Sequence, residues 1–206
     1  MNEHLWWYTA RASGLVAWAL LAACVAWGLF LSSRALGKRP PAPWLLDLHR
    51  YLAVLLLAFT GMHLASLVAD SYVDFGWSEL FVPLTSEWQR GAVAWGVIGM
   101  YGLIAIQLTS IYMRRIPKKV WRWVHRSSYA VLVMVSVHAI AAGTDVKSPV
   151  VGWAVVVGLV GIAFPVVYRR LAPRKGGRAV REKVARPERV ATSAGGRQAR
   201  VRAGVG

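Results

Sequence analysis

The stretch Leu48-His49-Arg50-Tyr51-Leu52-Ala53-Val54-Leu55-Leu56-Leu57-Ala58-Phe59-Thr60-Gly61-Met62-His63-Leu64 decides how the chain is read. It holds two histidines 14 residues apart in a run that is otherwise almost entirely apolar. An apolar helix of about 20 residues crosses the hydrocarbon core of a bilayer. An ionisable group inside such a helix is costly, so it marks a function. A second stretch repeats the arrangement: Trp123-Val124-His125-Arg126 leads to Ser136-Val137-His138-Ala139, a step of 13. The remaining histidine, His4, stands apart near the N-terminus.

The surrounding chain fits a membrane protein. Of its 206 residues, 56% are hydrophobic and 17% charged, a balance unlike that of a soluble domain. Five apolar stretches are long enough to span, near 12–32, 47–69, 91–112, 121–142 and 150–168. The expected fold is therefore an all-α membrane protein, a bundle of five transmembrane helices. Residues 1–172 form the membrane domain and 173–206 a basic tail with ten Lys/Arg, two Glu and no aromatic residue. Such a tail buries too little apolar area to fold alone and is expected to be disordered. Attachment to anionic lipid is its functional alternative. The net charge of +16 lies in loops and tail, without the interleaved aromatics of a nucleic-acid surface, so no nucleic-acid partner is expected.

Loop charge sets an orientation. Arg34, Lys38 and Arg39 follow the first span, ahead of a Pro40-Pro41-Ala42-Pro43 break, and Arg114, Arg115, Lys118 and Lys119 follow the third. The second connection carries Asp70, Asp74, Glu79 and Glu87 against Arg90. This pattern places the N-terminus outside and the C-terminus in the cytoplasm of a multi-pass inner or plasma membrane protein. Leu21-Ala22-Ala23-Cys24 looks like a lipoprotein cleavage site, but the apolar run continues to Leu31 and Glu3 sits where a basic leader belongs. Cys24 is read as a small packing residue. As the single cysteine, it forms no intrachain disulfide.

Spans two and four then run in the same direction. His49 and His125 share one depth near the inner face, and His63 and His138 share another nearer the outer face. The steps of 14 and 13 correspond to about 21 and 20 Å along a helix. Facing imidazoles complete the axial coordination of haem iron, so the reading is two haem b groups per chain, stacked along the membrane normal. Zinc fits poorly, with two ligands per level and no nearby acid. Histidines bonded to neighbouring helices without a metal are the plainer alternative. One feature resists: at about 100° per residue, a step of 14 returns to within roughly 40° of one face, whereas a step of 13 lands about 140° away. A kink, an irregular start around Pro117, or haems approached from different sides are the ways to reconcile it. Arg50, Arg122 and Arg126 stand beside the inner pair and suit haem propionates, although positive-inside charge explains them equally. Tyr72, Trp77, Trp88 and Lys147 are the outer-side candidates, and Phe59 lies between the two levels, where core or lipid-facing packing is its plainer role.

With these residues in view, the sequence resembles the ferric-reductase-like transmembrane domain family. That family includes iron reductases, the membrane part of NADPH oxidases and the haem subunit of the periplasmic methionine sulfoxide reductase system. The carriers are Leu48-His49-Arg50, Gly61-Met62-His63-Leu64, Leu108-Thr109-Ser110, and Lys118-Lys119-Val120-Trp121-Arg122-Trp123-Val124-His125-Arg126 leading to His138. The resemblance implies a dihaem b-type cytochrome in which His49 pairs with His125 and His63 with His138. The flavin- and nicotinamide-binding motifs of the larger members are missing here. The sulfoxide reductase subunit also lacks those domains, but it lacks the histidine present here as His49.

The leading expectation is an electron-transfer subunit, rather than a complete enzyme, in contact with membrane lipid. It takes electrons from a cytoplasmic flavoprotein or quinol donor and passes them to an outer acceptor or partner oxidoreductase. The alternatives are a self-sufficient ferric or oxygen reductase with FMN or FAD held by its loops, and a non-redox membrane protein with structural or metal-binding histidines.

Overall fold

The computed structural model describes residues 5–33, 42–70, 75–143 and Gly152. The described elements are all helical: α1 (Leu5–Ser33), α2 (Ala42–Ala69), α3 (Trp77–Phe81), α4 (Arg90–Ile111), α5 (Lys118–Arg126) and α6 (Ser128–Ala142). Four spans are long and apolar enough to cross a membrane: Leu5–Ser32, Pro43–Ala69, Arg90–Ile111 and Lys118–Ala142. The expected fifth span, 150–168, and the basic tail lie outside the described residues.

The helix limits follow local chemistry. Helix α1 begins well before the apolar core of its span, so Trp6, Trp7 and Arg11 are helical too. Pro43 stands in the first turn of α2, where a missing N–H costs nothing. The short α3, unforeseen in the sequence, is closed at its start by the Gly76 N–H donating to the Glu79 carboxylate. Tyr101 on α4 fastens the following turn, its hydroxyl donating to the Phe81 carbonyl at 2.7 Å.

The fourth span is continuous but not uniform. At Ser127 the backbone N–H is shared between the Trp123 carbonyl at 3.2 Å and the Val124 carbonyl at 3.0 Å. The Ser127 hydroxyl also donates to Val124 at 2.6 Å, and regular bonding resumes with Val131 to Ser127 at 2.9 Å. An i−3 bond tightens the turn, winding about 20° more per residue than an α-helix. Thirteen α-helical residues fall about 140° short of four full turns. Overwinding at Ser127 therefore shifts His138 back towards the face of His125, and recovers part of that deficit.

Helices α1 and α2 pack along each other, as do α4 and α6, while α1 also touches α6. Among the described residues, α2 and α6 make no comparably close approach along their lengths. Ala17, Leu21, Val25 and Leu29 of α1 join Leu56, Val131 and Leu132 in the main core, with Phe59 packed against it. This layer lies between the two histidine levels. On α4, a Cβ at Gly99 or Gly102 would sit 2.7 or 2.5 Å from Val135 or Val131 of α6, so these glycines set the α4–α6 approach. Val54, Ile98, Ile104, Leu108, Val133, Val137 and Ile140 face outward and exposed, as lipid contact requires. The chain is a multi-pass membrane protein.

Trp18 Nε1 donates to Ser136 Oγ at 2.9 Å and ties α1 to α6 within the buried interior. Interhelical bonds in bilayers contribute about 0.6 kcal/mol on average, with about 1.7 as the upper end. A double-mutant cycle of Trp18→Phe and Ser136→Ala, read by unfolding in mixed micelles, should return a coupling in that range. Additive effects would show that the bond does not hold the helices.

Candidate functional site

The structure brings the four intramembrane histidines together as two pairs across the gap between α2 and the fourth span. His49 and His125 stand with ring centroids 6.1 Å apart and planes crossed at 67°. His63 and His138 stand 6.4 Å apart, crossed at 74°.

Each ring is fixed from behind by a neighbouring helix. His63 Nδ1 lies 2.7 Å from the Ala10 carbonyl of α1, and His138 Nδ1 lies 2.8 Å from the Ala92 carbonyl of α4. A carbonyl only accepts, so both Nδ1 atoms carry the proton and both Nε2 atoms keep their lone pair. At the other level, His49 Nδ1 meets Cys24 Sγ at 3.5 Å and His125 Nδ1 meets Ser110 Oγ at 3.5 Å. The Ser110 hydroxyl already donates to Ile106 at 2.7 Å, and the Cys24 thiol points its proton to the His49 carbonyl at 3.8 Å. Those atoms are left to accept, so the same tautomer follows. Trp121 stacks on His125, with centroids 5.1 Å apart and planes at 23°.

Small residues make these contacts possible. A Cβ at Gly14 would lie 3.0 Å from the His63 ring, one at Gly96 would lie 2.8 Å from His138, and one at Gly28 would lie 3.5 Å from His49. On α1, Ala10 and Gly14 recur 14 residues later as Cys24 and Gly28, matching the step from His49 to His63. On α4, Ala92 and Gly96 recur 14 residues later as Ile106 and Ser110. Sequence reading missed Gly14, Gly28 and Gly96, and it took Cys24 for mere packing. The signal was present: small residues at the histidine interval on the two spans without histidines.

A mostly apolar cavity of about 200 Å³ adjoins the His63–His138 pair. Leu21, Leu56, Met100, Leu103 and Val135 line it, with Thr60, Glu79 and Arg11 as polar members. Of the expected outer-side residues, Trp88 lines this cavity and Trp77 is exposed, while Tyr72 and Lys147 lie outside the described residues. Arg11, which sequence reading left at the edge of the first span, lines it instead, with its guanidinium 5.5 Å from the centre of the Trp7 ring. The three arginines expected beside the first pair are on the surface. Arg50 bonds Asp47 at 3.2 Å with both side chains largely exposed. Arg122 donates to the Lys118 carbonyl at 3.2 Å, and Arg126 is exposed.

The spacing can be tested against a metal. Two imidazoles in line on one ion, each bound at about 2.0 Å, place their ring centroids about 6.2 Å apart. Both pairs meet that value. Among the described residues no group of three or more His, Cys, Asp or Glu gathers as a zinc site requires. Two nitrogen donors, a slot between helices and an apolar lining fit a haem.

The family model described as ferric reductase like transmembrane component matches residues 13–137. The chain belongs to this family. The match runs from the residue before Gly14 to the residue before His138, so it takes in every pair member but the last. Neither a search of curated proteins nor one of solved structures finds a match.

Gly96→Ala puts a methyl group where the His138 ring stands, whereas Gly61→Ala meets nothing within 4 Å. Haem content per chain should fall in Gly96→Ala and stay unchanged in Gly61→Ala. Full haem content in Gly96→Ala would show that the ring position is not what binding requires.

Proposed function

We propose that this chain is the haem-bearing membrane subunit of an electron-transfer system, with one haem b held by His49 and His125 and another by His63 and His138. The single observation that carries this reading is the pair geometry. Two crossed imidazole pairs stand at the spacing of a shared ion, with every Nδ1 proton directed away from the partner ring. When bound, haem supplies a one-electron Fe(III)/Fe(II) couple.

The residues of the chain define the rest. Nδ1 bonds to Ala10, Ala92, Cys24 and Ser110 fix the tautomer and the ring planes, so Nε2 is presented without further rearrangement. Two protein ligands on each ion leave no open position, which favours electron transfer over oxygen binding at the metal. The apolar layer of Leu21, Leu56, Val131 and Leu132 excludes water between the levels. The two levels are about 20 Å apart by helical rise, which divides the crossing of a roughly 30 Å core into shorter steps.

Loop charge orients the system. The connections after α1 and α4 are basic and belong on the cytoplasmic side of the inner or plasma membrane. A flavoprotein or quinol donates at that end, and a partner oxidoreductase or other acceptor takes electrons at the outer face. Arg50, Arg122 and Arg126 are placed to meet propionates or an acidic donor at the basic end.

Purified protein should show a dithionite-reduced b-type spectrum with about two haems per chain. His63→Ala or His138→Ala should remove one, and His49→Ala or His125→Ala the other. A haem-free preparation from haem-replete cells contradicts the proposal.

A further inference from the structure

The two levels hold their histidines in the same way but with different acceptors. At the level of His63 and His138, the Nδ1 protons go to peptide carbonyls at 2.7 and 2.8 Å. At the level of His49 and His125, they go to a sulfur and a hydroxyl oxygen, each at 3.5 Å. The helices supply equivalent positions in both cases: adding 82 to Ala10, Gly14, Cys24 and Gly28 of α1 gives Ala92, Gly96, Ile106 and Ser110 of α4. The asymmetry therefore arises from side chains at two positions, Cys24 and Ser110.

A hydrogen bond from Nδ1–H raises the basicity of the opposite nitrogen and so strengthens its donation to a metal. Short bonds to carbonyls do this most and favour the more highly charged oxidised iron. Long contacts to a thiol sulfur and to a hydroxyl already engaged with Ile106 do it least. Second-shell hydrogen bonding is one of the levers by which a protein sets a haem potential.

Building on the dihaem reading, we propose that Cys24 and Ser110 are the residues that tune the potential of the His49–His125 haem, keeping it high by accepting weakly from its ligands. At the other level the acceptors are backbone atoms, which no substitution can replace directly. Only one of the two haems is thus open to adjustment by changing an acceptor side chain. The exposed arginines at this end act in the same direction, but solvent screens them.

The test is a redox titration of the full chain carrying both haems, followed by absorption, with His63→Ala protein used to assign the His49–His125 component. Ser110→Asp supplies a stronger acceptor and should lower that component's potential by about tenfold in the one-electron equilibrium, roughly 59 mV. The double variant Cys24→Ala with Ser110→Ala removes both acceptors and should raise it. The His63–His138 component should stay in place in each. An unchanged potential in Ser110→Asp protein that retains both haems overturns the proposal, as does a lowered or unchanged one in the double alanine variant. If Ser110→Asp fails to bind haem, the double variant decides. A wild-type chain without haem would instead overturn the dihaem reading itself.

Discussion

A ring N–H inside a bilayer must find an acceptor, and that requirement shapes the interior of this protein. Water is absent there, and an unpaired polar group costs several kcal/mol. The Nδ1 protons of His63 and His138 reach peptide carbonyls that already belong to helical ladders. Reaching a helix backbone with a ring is possible only where no side chain intervenes. Gly14 and Gly96, one turn beyond Ala10 and Ala92, provide that gap. Close α1–α2 and α4–α6 packing then follows, while α2 and α6 stay apart, with four imidazoles facing each other between them.

Much of this was present in the histidine spacing. The run from His49 to His63, with the basic and acidic loops, marks spans two and four as co-directional, and the structure brings together the residues expected at equal depth. Less could be read for span four, because helical phase taken from ideal geometry puts His125 and His138 on different faces. The tightened turn at Ser127 supplies part of the answer, and nothing in the local sequence, Arg126-Ser127-Ser128, announces a shared hydrogen bond. The acceptors were harder still. Ala10 and Ala92 act through their backbones, which carry no residue-specific signal, and Gly14, Gly28 and Gly96 act by what they lack. Cys24 could be placed in a span, but its contact with His49 depends on how α1 and α2 pack.

The matching intervals suggest a simple plan. Each half pairs a helix of small residues with a histidine-bearing helix, and the halves meet so that one histidine from each shares a level. Stacked levels divide a wide, insulating barrier into shorter transfers. The same plan explains why the arginines near His49 and His125 are exposed: the apolar interior has no place for them, and the basic end is where charged partners approach. Family membership through residues 13–137 agrees with this use of the fold.

Ring orientation gives the most direct measurement. Planes crossed at 67° and 74° are far from parallel. Ferric iron between two such imidazoles gives the highly anisotropic low-spin electron paramagnetic resonance signal, distinct from the rhombic signal of parallel rings. The oxidised protein should show two low-spin components of the anisotropic type, one lost with His63→Ala and the other with His49→Ala. High-spin iron, a single component that both substitutions abolish, or no ferric signal in protein from haem-replete cells would contradict paired histidine ligation.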